Sequence, residues 1–370
     1  MSLSENTVAE AELLAISEIN QRGGIVLKDQ VYKVEPIEED GGSDPETFAQ
    51  KAKQLLDRDK VAVVFGGWTS SSRKAMIPVF ETRNKFLFYP VQYEGEECSP
   101  NILYAGSVFN QQAAPAIEWL LRTKGKTLFL VGSDYIYPAR VNAQIRATFS
   151  GKSQIVGESY LPLGSRNMTA VVSIIKRQMP KGGIIVNTLN GDSNVSFFRE
   201  LTAQGLNATR GYTVMSFSIS EEEVAAIGAA AMRGSYASWS FFQSLNSPRS
   251  KQFNAAFQNV YGSHRVTNDP SEAAYTMVML WAAAVERAGS IQTDRVREAL
   301  IGLRHDAPQG NIKVYPNLHL SKRSLIGEVQ TNGQFRVVHD AGQIVPKPWG
   351  SGLPNTAMPR CDWRRQAASR

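Results

Sequence analysis

Residues 61–93 read VAVVFGGWTSSSRKAMIPVFETRNKFLFYPVQY. A β-branched run (61–65) breaks at Gly66-Gly67, a helical segment follows over 72–83, and the stretch closes on FLFY (86–89). Strand, glycine turn, helix and strand in that order make a βαβ unit, whose two strands lie parallel. Both strands are apolar throughout and do not alternate, as expected where a sheet is covered on both faces.

The same alternation extends in both directions. Residues 8–19 carry apolar side chains near i, i+3, i+4 and i+7, with acids towards the start and Gly23-Gly24 beyond the end, which predicts a helix. Residues 31–37 alternate as a strand, and 45–56 read as a helix with Asp44 as N-cap and Pro45 at its first position. Helices are expected over 111–123, from 139, and over 169–178 and 195–204. They are separated by the strands TLFLV (127–131), QIVGESYL (154–161) and GIIVNTL (183–189). The second half adds a strand at 234–239, helices at 270–288 and 294–303, and a β-rich end (NIKVYP, RSLIGEV, GQFRVVH). The pattern predicts an α/β protein built on mostly parallel sheets, with no fixed-period repeat.

A chain of 370 residues, 42% hydrophobic and 20% charged, allows two domains or one large one. The net charge of +6 is too small for its size to indicate a nucleic-acid binder. No run approaches the ~18 apolar residues of a membrane span, so a soluble chain without membrane insertion is expected. The first twenty residues are acidic and lack an unbroken apolar core, unlike a signal peptide. Because a mature secreted protein has lost its signal, the compartment stays open. Two cysteines exclude a disulfide scaffold or a zinc ribbon. A Cys98–Cys361 disulfide is not expected, since sequence supplies no geometry for it. Residues 356–370 read as a frayed basic tail.

Catalytic and cofactor motifs are missing. Neither GxGxxG nor GxxxxGK[ST] occurs, which argues against nucleotide binding. His264, His305, His319 and His339 show no metal-ligand spacing. Ser71 and Lys74 form an SxxK pair, but the companion motifs of serine acyl enzymes are incomplete and in the wrong order around Lys126-Thr127 and Ser133-Asp134. Ser70–Ser72 are better explained as a helix cap. No catalytic residue, cofactor or metal is expected.

In open α/β sheets, ligands bind beyond the carboxyl ends of the strands. Four such turns here are aromatic and polar: 66–71 (GGWTSS), 89–93 (YPVQY), 132–138 (GSDYIYP) and 190–194 (NGDSN). Aromatic faces with hydroxyls, amides and a carboxylate suit a small, neutral, planar polar ligand. Gln92 and Asp192 could supply such a ligand with amide and carboxylate acceptors, and a charge-assisted hydrogen bond is about twice as strong as a neutral one. Asp192 also fits as N-cap of the following helix. Asn190 lies in the same turn, and Ser216 and Trp239 lie at further strand ends.

The segments FGGWTSSSRKA, FYPVQYEGEECSPNI, VGSDYIYP, NTLNGDSNVSFF and HDAPQGNIKV resemble the type I periplasmic binding proteins over residues 8–338. Within that group they are most similar to the urea-binding subunits of ABC transporters, whose sister group contains short-chain amide sensors. The resemblance implies a non-enzymatic protein of two doubly wound, Rossmann-like α/β lobes, joined by a three-crossover hinge that closes on ligand. It implies a first lobe of 1–120 plus 243–322 and a second of 121–242 plus 323–355. Position by position it places the ligand site on Trp68, Ser70, Tyr89, Tyr135 and Tyr137. Val91 stands where the amide sensors carry a hydroxyl residue, which fits the urea branch. The implied partners are urea or a short-chain amide and a permease of the branched-chain amino-acid type, in the periplasm. A cytoplasmic amide or urea sensor and a branched-chain amino-acid binding protein stay open as alternatives.

One departure matters. Family members begin with an apolar strand and a Ser/Gly-rich turn before the helix expected at 8–19, where this chain has only MSLSENT. That strand would lie inside the first lobe's sheet, and its loss would leave unpaired backbone groups. Either the natural chain starts earlier, with MSL a foreign start, or another segment, such as residues from 342 onward, takes its place.

Overall fold

The computed structural model describes residues 2–349 and 361–364. In chain order the elements are α1 (Ser2–Gln21), β1 (Ile25–Leu27), β2 (Gln30–Tyr32), α2 (Pro45–Asp57), β3 (Val64–Phe65), α3 (Ser70–Arg83), β4 (Leu87–Tyr89) and β5 (Ile102–Tyr104). Then follow α4 (Ala113–Thr123), β6 (Thr127–Ser133), α5 (Ile136–Thr148), β7 (Gln154–Leu161), α6 (Thr169–Gln178), β8 (Gly183–Thr188), α7 (Ser193–Ala203), β9 (Tyr212–Ser216), α8 (Glu221–Ile227), α9 (Ala229–Met232) and β10 (Tyr236–Trp239). The chain ends with α10 (Pro248–Tyr261), α11 (Asp269–Ala288), α12 (Thr293–Leu300), β11 (Arg304–Ala307), β12 (Gly310–Lys313), β13 (Lys322–Val329) and β14 (Phe335–Ile344).

Two sheets organise the molecule. One has the strand order β14-β13-β10-β9-β8-β6-β7, parallel from β10 to β7 and antiparallel at β10/β13 and β13/β14. Its central strands show why the apolar runs do not alternate. Phe129, Val131 and Ile185 face one core, while Leu128, Leu130, Ile184 and Val186 face another on the opposite side. The second sheet, β3-β4-β5, is parallel and shares a core with α1, α3, α10 and α11.

The chain passes between these cores three times. Neighbouring residues fall on opposite sides at Val108/Phe109 and at Phe241/Phe242, and the third passage lies between Leu320 and Leu325. Residues 113–120, expected with the first lobe, instead pack with β6 and β8 through Ala116, Ile117 and Leu120, so the first passage precedes α4. Amides tie the three passages together. Gln112 donates to the carbonyls of Phe217 (3.1 Å) and Ser238 (2.8 Å), and Gln111 donates to those of Leu320 and Ile344 (both 2.9 Å).

Local expectations hold at α2, where Asp44 is the N-cap and accepts from the Thr47 amide at 2.8 Å. They fail at 31–37, where pairing stops after Tyr32, and at 61–65, where only Val64 and Phe65 form a strand. The physical reason is that β3 pairs on one side alone, with β4. Its other side opens onto a cleft of about 1040 Å³, lined by Leu13, Ile16, Val34, Phe48, Val63 and Trp281. The described C-terminal residues do not enter it. Gly342–Ile344 belong to β14, the Pro348 carbonyl accepts from the Glu96 amide, and the Trp363 amide donates to Pro316.

Two expectations about the end of the chain are corrected. Cys98 and Cys361 form a disulfide, with their Cα atoms 6.1 Å apart. Residues 361–364 are therefore anchored, and Trp363 is buried against the three-stranded sheet's core. The remainder of the expected basic tail, 356–360 and 365–370, lies outside the described residues.

Candidate ligand cleft

The turn after β3 is tight because Gly66, Gly67 and Thr69 all have positive φ (103°, 85° and 71°). The positive φ at Gly67 is what favours glycine there, and a Cβ would also lie 2.8 Å from the flexible end of Met76. Thr69, and not Ser70–Ser72 as expected, caps α3 through its hydroxyl and the Ser72 amide. This frees Ser70 and Arg73, one turn apart on α3, to face the loop after β4.

There they build a fully buried ionic group. Arg73 is 0% exposed and donates from Nε to Glu97 Oε1 at 2.8 Å, with a longer contact from Nη2 to Glu94 Oε1 at 3.3 Å. Ser70 donates to Glu94 Oε2 at 2.5 Å. Lys74 and the Tyr104 hydroxyl donate to Glu97 at 2.9 Å each. Lys74 is thus an ion-pair partner of Glu97. Burial opposes the ionisation of both Arg73 and Glu97, but their mutual attraction prevails. Arg73 is held well above its usual range, and Glu97 is drawn down to about 2. The guanidinium also lies over the rings of Tyr93 (4.3 Å) and Tyr89 (4.9 Å). Behind it Tyr93, Tyr104 and His319 stack. Burial holds His319 neutral, with its pKa lowered to about 4.

The second lobe meets this group directly. Gln92 donates to the Phe217 carbonyl (3.1 Å) and the Ser218 hydroxyl (3.0 Å), and Gln144 on α5 donates to the Glu94 carbonyl at 2.8 Å. Tyr135 and Tyr137, at the start of α5, lie with ring centroids 6.3 Å apart. Burial raises the pKa values of Tyr89, Tyr135 and Tyr137, and Glu94 adds to the shift in all three. Gln92 Oε1 and Gln144 Oε1 are buried without a hydrogen-bond partner, and the hydroxyls of Tyr89 and Tyr137 make no bond of good geometry, lying near Arg73 and near Ser218 and Gln92 respectively.

The expected site residues separate accordingly. Ser70, Tyr89, Gln92, Tyr135 and Tyr137 come together around Glu94, and Trp68 is buried in the turn beside them. Asn190 and Ser216 lie on the second-lobe wall and are engaged internally. The Asn190 main-chain N–H donates to the Ser133 hydroxyl, and Ser216 accepts from Asn187. Trp239 donates to the Ile219 carbonyl at 2.6 Å from within the core. Asp192 is exposed at the head of α7 and makes no side-chain cap bond. Sequence reasoning missed Arg73, Glu94 and Glu97. The available signal was Arg73 three residues after Ser70, facing the acidic run YEGEE.

These charges set a pH profile. Glu97, with a folded pKa below its unfolded one, contributes stability above about pH 4.5 that is lost as pH falls towards 2. Glu12 and Glu221 behave oppositely. Burial raises both to about 8, so their contribution is present below about pH 4.5 and is lost as pH rises to 8. Glu222 and Glu272, raised by burial to about 7, act the same way, and together these groups outweigh His319, which works against them between about pH 4 and 6.5. Thermal scans are expected to give a higher Tm at pH 5 than at either pH 3 or pH 8; a maximum at pH 8 would contradict this assignment.

Among the described residues there is no cluster of His, Cys, Asp and Glu that could hold a metal, and no helix long and apolar enough to cross a membrane. The family model described as a periplasmic binding protein domain matches residues 1–355. Among solved structures, the chain is similar to an ABC-transporter solute-binding protein from Rhodopseudomonas palustris BisB5 in complex with 3,4-dihydroxybenzoic acid. The TM-score is 0.81 and the identity 19%, covering 93% of this chain and 94% of that one. It is also similar to a branched-chain amino-acid ABC-transporter periplasmic ligand-binding protein from Burkholderia xenovorans LB400, with TM-score 0.77, 20% identity and coverage of 96% and 94%. Over 113 residues it is 29% identical to a protein named limonene hydroxylase from Geobacillus stearothermophilus. That stretch covers 30% of this chain and 21% of that protein, and a match so partial brings no hydroxylase activity with it. The chain belongs to the periplasmic binding protein family and has its two-lobed, type I α/β fold.

Proposed function

We propose that this protein captures urea or a short-chain amide between its lobes and delivers it, outside the cytoplasm, to an ABC-transporter permease of the branched-chain amino-acid type. The observation that carries the reading is charge balance. In the cleft the Arg73 cation is matched by Glu94 and Glu97, and Lys74 completes a neutral group. An anionic ligand such as a benzoate or an amino-acid carboxylate would meet no unpaired cation in this group, and desolvating an unpaired charge is costly. A neutral planar ligand instead finds acceptors for its N–H groups at Gln92 Oε1 and Glu94, with the hydroxyls of Tyr89 and Tyr137 nearby.

The Cys98–Cys361 disulfide supports an oxidising compartment over the cytoplasmic-sensor alternative. Closure around ligand follows from contacts made to both lobes, since a ligand shifts an equilibrium only by its differential affinity. A saturating ligand at a hundred times its Kd stabilises the folded state by about 2.7 kcal/mol. Urea or acetamide is therefore expected to raise Tm by several degrees, and Trp68→Ala to abolish the shift. A larger shift with leucine or benzoate than with either would overturn the assignment.

A further inference from the structure

We propose that Glu94 is the residue that selects for ligands bearing N–H donors and rejects their carboxylate counterparts; this rests on the urea and amide reading above. The two acids of the buried group are not equivalent. Glu97 is saturated, receiving Arg73 Nε and the Tyr104 hydroxyl on one oxygen and Lys74 and Arg73 Nη2 on the other. Glu94 receives Ser70 on Oε2 and, on Oε1, the long Arg73 contact, with Lys74 Nζ at 4.0 Å, beyond hydrogen-bond distance. A carboxylate can accept about four hydrogen bonds. Glu94 therefore keeps acceptor positions that Glu97 has used, although its side chain is only 2% exposed.

Its placement points the same way. Glu94 lies within electrostatic reach of the Tyr89 hydroxyl from the first lobe and of the Tyr135 and Tyr137 hydroxyls from the second. Its own main-chain carbonyl is held by Gln144 across the cleft. Lobe closure and the position of this carboxylate are therefore linked. An amide N–H against Glu94 makes a charge-assisted bond, while a ligand carboxylate would set like charges together where water cannot screen them. A site built to hydrogen-bond one group rejects the analogue lacking it far more strongly than a methylene pocket can.

Acetamide and acetate are nearly isosteric and make the test. Calorimetric titration of the wild type and of Glu94→Gln against urea, acetamide and acetate is expected to give three results. The wild type prefers acetamide over acetate by at least about 100-fold. Glu94→Gln loses at least about tenfold in urea affinity. The variant, with one negative charge fewer beside Arg73, brings acetate within about tenfold of acetamide. Wild type that binds amides, with a variant that keeps both its urea affinity and its rejection of acetate, would overturn the role of Glu94 while leaving the function standing. Wild type that binds neither urea nor acetamide would overturn the functional reading itself. Where Glu94→Gln gives no cooperative melt, the wild-type acetamide-to-acetate ratio decides: equal affinities overturn the proposal, and strong rejection of acetate supports it.

Discussion

Arg73→Met is expected to destabilise the protein by about 3–5 kcal/mol, the cost of breaking a buried ion pair from one side. Methionine has a similar length and leaves little cavity, so the loss isolates the charge. Without the guanidinium, Glu94 and Glu97 remain buried with Ser70, Tyr104 and the half-exposed Lys74 as their partners. The variant also loses the cation stacked between the rings of Tyr89 and Tyr93. The diagnostic measurement is a triple variant, Arg73→Met with Glu94→Gln and Glu97→Gln, compared by thermal or denaturant unfolding. Removing all three charges is expected to restore most of the stability, because a buried ionic group replaced whole is often near neutral. A single-variant loss under about 1 kcal/mol, within the range of an exposed pair, would mean that the group is hydrated rather than buried.

Cys98→Ser is the second large effect. The disulfide closes a loop with a sequence separation of 263 residues, for which the chain-entropy model gives a ceiling of about 5 kcal/mol. It also seats residues 361–364, so Trp363 loses its anchor against the core. Cys98 follows Glu97 directly, and the bridge pins the loop that carries both buried acids. Loss of several kcal/mol is expected from Cys98→Ser, from Cys361→Ser and from dithiothreitol, with no further loss when two of them are combined. Additive losses would show that each change acts on something other than the shared bond.

Much of this architecture can be read from periodicity. The apolar runs at 127–131 and 183–189 announce strands covered on both faces, and the two cores flanking β6 and β8 are the reason. The strand-end turns that carry Trp68, Tyr89, Tyr135 and Tyr137 are legible for the same reason, since open α/β sheets bind ligands where strands end, and the structure brings these turns together beside Glu94. Arg73, Glu94 and Glu97 are not legible by pattern alone. A charged residue in a sequence reads as solvated unless its partner is known, and here the partners come from different turns. Trp239 shows the opposite error. It sits at a strand end like the others, but its indole N–H is satisfied by Ile219 and its ring belongs to the core. The disulfide lies beyond reach for a geometric reason, because no local rule links positions so far apart.

The three passages between cores have a consequence for how the protein is made. α1 packs against α11, and β10 gains its outer neighbour only when β13 emerges. At about 5–20 residues per second, more than about ten seconds separate the appearance of α1 on the ribosome from that of its partner helix. Neither lobe can finish its core until the last third of the chain has been synthesised. The nascent chain therefore spends most of its translation without a completed folding unit.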